Sequence, residues 1–465
     1  MSEPNHELRH ALQRARWSPR DLVNAVNSRL AAVGAPQLAA TAGHGWLRGS
    51  IPKGDVPQVV ATVLSGATHT HYEVHDLWPT LARPHRADRT QPALAVDDLS
   101  GPWTTDTALT QLRQLAAATP SELAAVIPGH GRQLVTAARD GVCQTITATL
   151  LGRGNERVDP PFMDLIEEHL AGLRRLDDRV GGSAVSQRYV RGELLAVLDL
   201  VRSARFTPAV GARLLHAAAG LGQLGGWLAF DAGCAGAAQR HHLLAVRIAH
   251  SAADHAGAGN TLGMLAYQSA MAGRGADARA LAEAAVAATK GSTATARARA
   301  HGRLATALAA EGDLYGYRDA ADLARTLLQR RHPAEDPPYL YYFTADQLAA
   351  ESGQALLALA ATNPGHRKSL LAEAIAALTP LVTGAETYPR SGLLHSSYLA
   401  VAHLRAQDLD SAVATAMTLA ARLPDIHSVR CRELARQLRG QLARRARNRL
   451  AARAVRELDR ALLTT

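Results

Sequence analysis

Apolar side chains recur at three- and four-residue intervals along most of the chain, and this spacing predicts an all-α protein. Leu8, Leu12 and Ala15 share one face of a short helix from Glu7 to Arg16. Ser18-Pro19-Arg20-Asp21 then starts a second helix: Ser18 can cap it, Pro19 suits its first position, and Asp21 stands where a capping box needs an acceptor. Leu22, Val23 and Val26 carry this helix towards Gly34. A third helix is expected from Gln37 to Arg48, capped by Gly49 and stopped by Pro52. Val56, Val59, Val60, Val63 and Leu64 give a fourth.

This order predicts a helix-turn-helix domain over residues 1–80, its third helix placed to enter a DNA major groove. Residues 81–160 read as a linker and irregular helical segment. Pro79 to Trp103 is rich in Pro, Asp, Arg and Thr, and helical spacing returns at Ala108–Ala118 and Pro120–Ile127. Met163 to Leu176 is amphipathic, and Asp177-Asp178 before Gly181-Gly182 reads as turn chemistry. From 161 to 430 a repeat emerges. Gly233, Gly273, Gly312 and Gly353 mark expected turns at intervals of 40, 39 and 41 residues, and Ala406–Ala412 is a weaker copy. Helical hairpins at this period predict a degenerate tetratricopeptide-like α-solenoid. Residues 431–465 complete it as a basic capping helix.

Composition supports helices and restrains the reading of charge. Hydrophobic residues make up 47% and aromatics 4%, so alanine and leucine supply the core and let helices approach closely. The net charge is +10, but eleven arginines against three carboxylates between Arg430 and Arg460 supply a surplus of eight. Residues 1–60 hold seven basic and four acidic side chains, so basicity does not by itself assign DNA binding to the N-terminus. Cys143, Cys234 and Cys431 are widely spaced, which predicts neither disulfides nor a zinc site and suits a reducing cytoplasm. No signal peptide or membrane span is expected; Leu214 to Phe230 is short for a span and interrupted by His216, Gln223 and glycines.

The stretch WLRGSIPKGDVPQVVATVLS resembles the N-terminal domain of Streptomyces-type helix-turn-helix (XRE-like)/tetratricopeptide-repeat transcriptional regulators. QLGGWLAFDAG, AAQRHHLLAVRIAHSA and PPYLYYFTADQLAAESG resemble landmarks of their repeat region, in the same order along the chain. The likeness spans most of the sequence outside about residues 80–160, and some members of that group negatively regulate development and antibiotic production. It implies that Gln37, Thr41, His44 and Arg48 face DNA bases or phosphates and that Ser50 and Lys53 touch the backbone, with Trp46 and Leu47 in the small core. This chain departs in its third helix, where Gly43 and Gly45 each cost about 1 kcal/mol against alanine and few side chains can read a base edge. A degenerate helix-turn-helix serving assembly therefore stays open beside DNA binding.

Other chemistry is sparse. Gly220, Gly222 and Gly225 match GxGxxG but follow an alanine-leucine helix rather than a strand, which favours close helix packing over phosphate binding. His69, His71 and His75 lack a defined ligand shell, and of His241 and His242 at most one is expected to face inward. Glu167-Glu168 and Asp177-Asp178 are neighbours that cannot face each other on a helix, and no nucleophile–base constellation appears. The expectation is a non-enzyme without cofactor or metal. Tyr339, Tyr341 and Tyr342, with Trp227, Gln239 and Tyr267, form a candidate groove for a peptide, small-molecule or protein effector, set against simple space-filling. Arg444, Arg445 and Arg449 on the basic helix are candidates for auxiliary phosphate contact, set against a solvated face. The partners expected are double-stranded DNA and a second copy of the chain, the latter because operators are commonly two-fold.

Overall fold

The computed structural model describes residues 5–32, 36–52, 56–68, 72, 74–78, 102–143, 154–384 and 388–463. These residues are mostly helical and fall into two compact units, 1–92 and 93–465.

The first unit contains α1 (His6–Ala15), α2 (Pro19–Ala32), α3 (Ala42–Leu47), α4 (Val56–Thr68) and the single turn α5 (Val74–Leu77). Asn5 caps α1 through its side chain, and Ser18 and Asp21 hydrogen-bond each other at the start of α2. Leu8, Leu12, Leu22, Val26, Val60 and Leu64 form the core, closed by an edge-to-face pair of Trp46 and Trp78 with ring centroids 6.5 Å apart. The third helix is only six residues long, not the twelve expected from Gln37 to Arg48. Asn27 on α2 accounts for this. Its side-chain oxygen accepts from the Leu38 N–H and its amide donates to the Leu38 carbonyl, so both backbone groups are satisfied outside a helix.

The second unit begins with α6 (Thr105–Ala117), α7 (Pro120–Ala125) and α8 (Gly131–Cys143). Leu109, Leu112, Leu134 and Ala138 belong to its core, so the helices expected near 108–118 and 120–127 are packed structure rather than an irregular segment. Next come α9 (Pro160–Val180), α10 (Ala184–Ser203), α11 (Pro208–Asp231) and α12 (Ala235–Ser251). A two-residue parallel pairing joins Glu156–Arg157 to Ala204–Arg205. Then follow α13 (His255–Met271), α14 (Gly275–Ala288), α15 (Ala294–Glu311), α16 (Leu314–Gln329), α17 (Ala345–Thr362) and α18 (Arg367–Thr383). The chain continues through α19 (Pro389–Arg405), α20 (Leu409–Arg422), α21 (Val429–Ala443) and α22 (Arg449–Leu463).

Tight turns set the hairpins. Gly233, Gly273 and Gly312 have φ of 83°, 73° and 84° and sit just after helix ends, as the repeat predicts. The fourth marker departs from expectation. Gly353 lies inside α17, where an added Cβ would come 2.7 Å from Leu378 of α18, so this glycine permits close packing rather than a turn. Two equivalent turns use Ala253 and Gln407 in the left-handed region without glycine.

Helices α11, α13, α15, α17 and α19 pack successively against one another, and α9 touches both α11 and α19. Each of the six touches two others in turn, so within the second unit they close a ring. The C-terminal segment is a hairpin, not one basic helix: α21 ends at Ala443, and Asn448 caps α22 by accepting from the N–H groups of Leu450 and Ala451. Among the described residues, no helix is long and apolar enough to cross a membrane.

Candidate functional site

The ring surrounds a cavity that is open in part to solvent, with lining residues from all six of its helices. Alanine and leucine dominate the packing elsewhere, but here the walls are charged and aromatic. Trp227, Tyr267, Tyr339, Tyr341 and Tyr342 all line it, so five of the six residues expected in an effector groove converge. Gln239 does not. It is buried on α12, where its side chain accepts from the Gly129 N–H and donates to the Gly129 carbonyl, fixing the loop between α7 and α8.

Three groups of buried charge hold the walls. On one side Arg299 Nη1 lies 2.6 Å and Arg303 Nη1 3.5 Å from the same Glu351 oxygen. Burial alone would raise the Glu351 carboxyl, but the two guanidinium groups outweigh it and hold the carboxyl at about 2. Gln347 donates to its other oxygen at 3.0 Å, and Ser391 donates to Gln347. Opposite, Arg390 of α19 donates to the Asp177 carbonyl and carboxylate of α9, both at 3.0 Å, across 213 residues of sequence. Asp178 accepts from the Tyr341 hydroxyl and lies 3.6 Å from Arg390. Burial pushes the Asp177 carboxyl up to about 7 against the pull of Arg390, with Asp231 and Asp178 adding repulsion.

The third group lies behind the aromatic wall. Arg430 of α21 donates to the Tyr267 hydroxyl at 2.9 Å and stacks 4.5 Å from the Phe230 ring centroid. Asp231 accepts from Ser428 at 2.9 Å and lies 4.0 Å from both Arg390 and Arg430. Arg430 therefore belongs to the core and not to a solvated basic face.

The expected turn at Asp177-Asp178 is corrected by this geometry. Helix α9 runs on to Val180, and Gly181, with φ of 79°, ends it; the two carboxylates are wall residues. His241 and His242 both face inward, against the expectation of one. Helix α12 is covered on every side from Gly236 to Ala249, and Gly225 and Gly226 of α11 leave room for the two rings. Gly220, Gly222 and Gly225 lie in mid-helix against Leu170, Leu112 and His241, so they offer no helix N-terminus for a phosphate.

At the N-terminal unit, Gln37, Thr41, His44, Arg48 and Ser50 are exposed, with Trp46 buried between them. Gln37 and Thr41 precede α3, His44 lies on it, and Arg48 and Ser50 follow it. Lys53, His69 and His71 lie outside the described residues, as does the side chain of His75. Arg444 is exposed and Arg445 half-buried in the turn after α21, where Arg445 donates to the Gln441 carbonyl; Arg449 is exposed at the start of α22. No group of three or more His, Cys, Asp or Glu side chains is placed to hold a metal among the described residues.

Sequence reasoning missed Arg174, Arg299, Arg303, Glu351, Arg390 and Arg430. One local signal existed. Arg299 and Arg303 repeat at i,i+4 on an alanine helix, and Gln347 and Glu351 do the same on another, a polar stripe where the hairpin pattern calls for alanine. Comparison with protein-family models and with curated proteins gave no match to this chain.

Proposed function

We propose that the chain is a cytoplasmic DNA-binding transcriptional regulator. Its N-terminal unit acts as a helix-turn-helix domain on double-stranded DNA, and its helical array is a tetratricopeptide-like solenoid closed on itself. By resemblance, the regulated processes are development or secondary metabolism, in the negative sense. The observation that carries the reading is the cavity: its polar, aromatic walls come from all six ring helices, so an occupant acts on the packing of the whole ring. Lining from all six helices of a closed ring also favours a small molecule over a protein or extended peptide.

For the DNA half, the support is the exposure of Gln37, Thr41, His44, Arg48 and Ser50 beside an anchored Trp46. Selection of genomic fragments by the purified protein at near-physiological salt tests it. The expected result is a recurrent two-fold motif, as a homodimer would recover, lost in the Arg48→Ala, Lys53→Ala double variant. Featureless recovery overturns it.

The second reading is a protein-interaction scaffold whose N-terminal helices serve assembly. The length of α3 favours it: six residues rise only about 9 Å and present few side chains to a groove. Attraction to DNA that disappears only in an Arg444→Gln, Arg445→Gln, Arg449→Gln variant points to that scaffold reading, with arginines acting nonspecifically.

A further inference from the structure

The ring holds more cation than its carboxylates neutralise. Arg390 and Arg430 face Asp177, Asp178 and Asp231, so even with Asp177 protonated each has a carboxylate. Arg299 and Arg303, by contrast, share Glu351 as their one carboxylate partner among the described residues. Arg299 takes the short contact. Arg303, 4% exposed, is left with a 3.5 Å approach and no hydrogen bond, its Nε and Nη1 buried without acceptors. Arg174 is half-buried and keeps some contact with solvent, but among the described residues no carboxylate comes within ion-pair distance of it and it has no hydrogen-bond partner. Each guanidinium lies instead over a tyrosine, Arg303 at 4.3 Å from the Tyr267 centroid and Arg174 at 5.6 Å from that of Tyr339.

Arg174 also borders a second pocket between α9, α11 and α13, and Tyr339, Gln223 and Asn260 are common to both. A cation–π contact recovers only part of what a buried guanidinium loses on leaving water, and an uncompensated one is costly. Planar guanidinium forks match the oxygens of a carboxylate or phosphate, and flat aromatic walls match a flat apolar body.

From this we infer that the ring cavity binds a small organic oxyanion, a carboxylate or phosphate on a flat apolar body, with Arg303 and Arg174 as its counter-charges and Tyr267 and Tyr339 stacking beside it. The inference rests on reading the cavity as an effector site and is independent of whether the N-terminal unit binds DNA.

The test is calorimetric titration of the full chain, without DNA, with 2-naphthoate, 2-naphthyl phosphate and neutral 2-naphthamide at neutral pH. At least one anion is expected to bind at least about tenfold tighter than the amide, a difference of ~1.4 kcal/mol. Arg174→Met, at a half-buried position, and Arg303→Met should each cancel most of that preference, read as the ratio of anion to amide affinity; the first serves if the second does not fold. The stronger anion separates the carboxylate and phosphate sources. Equal binding of anion and amide, retained anion preference in Arg174→Met, or no binding of either anion at about 1 mM overturns the inference. A DNA selection that fails while the anion binds removes the regulator reading and leaves this one standing.

Discussion

Glu351 is the residue on which the cationic side of the cavity depends. Its carboxylate is the shared partner of two buried arginines, so Glu351→Gln leaves both guanidinium groups without an anion and is expected to cost about 3–5 kcal/mol. Urea unfolding measures this, and a loss below about 1 kcal/mol would show that the tyrosines already compensate the charge. The aromatic members of the cavity were legible in the sequence because aromatics are scarce in this chain and cluster at 339–343. The charged members were not. An arginine's burial is decided by partners such as Asp177 and Arg390, which stand 213 residues apart, and no local pattern carries that pairing.

At the scale of elements, helix existence followed from apolar spacing and capping residues, while extents turned on side chains that compete for the backbone. Asn27 shortens α3, Asn448 divides the C-terminal segment into a hairpin, and Arg390 with Tyr341 holds Asp177 and Asp178 within α9. The glycines of α3 show how one residue type carries two meanings. A Cβ on Gly43 would sit 2.5 Å from the Pro19 carbonyl oxygen, so this glycine lets α3 cross the start of α2. A Cβ on Gly45 would meet only the Ser50 hydroxyl, at 3.1 Å. Gly43→Ala should therefore destabilise the N-terminal unit by about 1–3 kcal/mol, whereas Gly45→Ala should be neutral or stabilising by up to about 1 kcal/mol. Thermal unfolding followed at the Trp46–Trp78 pair separates the two; equal effects would remove the close-crossing account. The helix-breaking cost read from the sequence is thus offset at Gly43 by packing that only the fold reveals.

For the whole molecule, buried titratable groups set the response to acid. Burial holds His241 at about 4, His242 at about 3 and His395 at about 4, so all three stay neutral in the fold where an unfolded chain protonates them near 6.5. Their contribution is present above 6.5 and is lost as pH falls towards 4 and below. Glu351, held at about 2, extends the loss below about 4.5. Asp177 acts in the opposite sense. Its folded form keeps a proton to about 7, so its contribution is present below about 3.8 and is lost as pH rises through 7. Three histidines outweigh one aspartate between pH 4 and 6.5, and the urea midpoint should climb across that interval. Asp177→Asn should steepen the climb. A flat profile would mean that the histidines do not stay neutral in the folded chain.

The seam between α9 and α19 has a consequence in time as well as in space. Each hairpin of the array joins neighbours in sequence and can assemble locally and quickly, whereas the Asp177–Arg390 contact must await everything between them. A contact made after the barrier leaves the rate of assembly alone and governs the rate of opening. In stopped-flow chevrons, Arg390→Met should accelerate unfolding by at least about tenfold and leave refolding almost unchanged. The ring would then behave like a clasp, slow to part only while its last link is fastened.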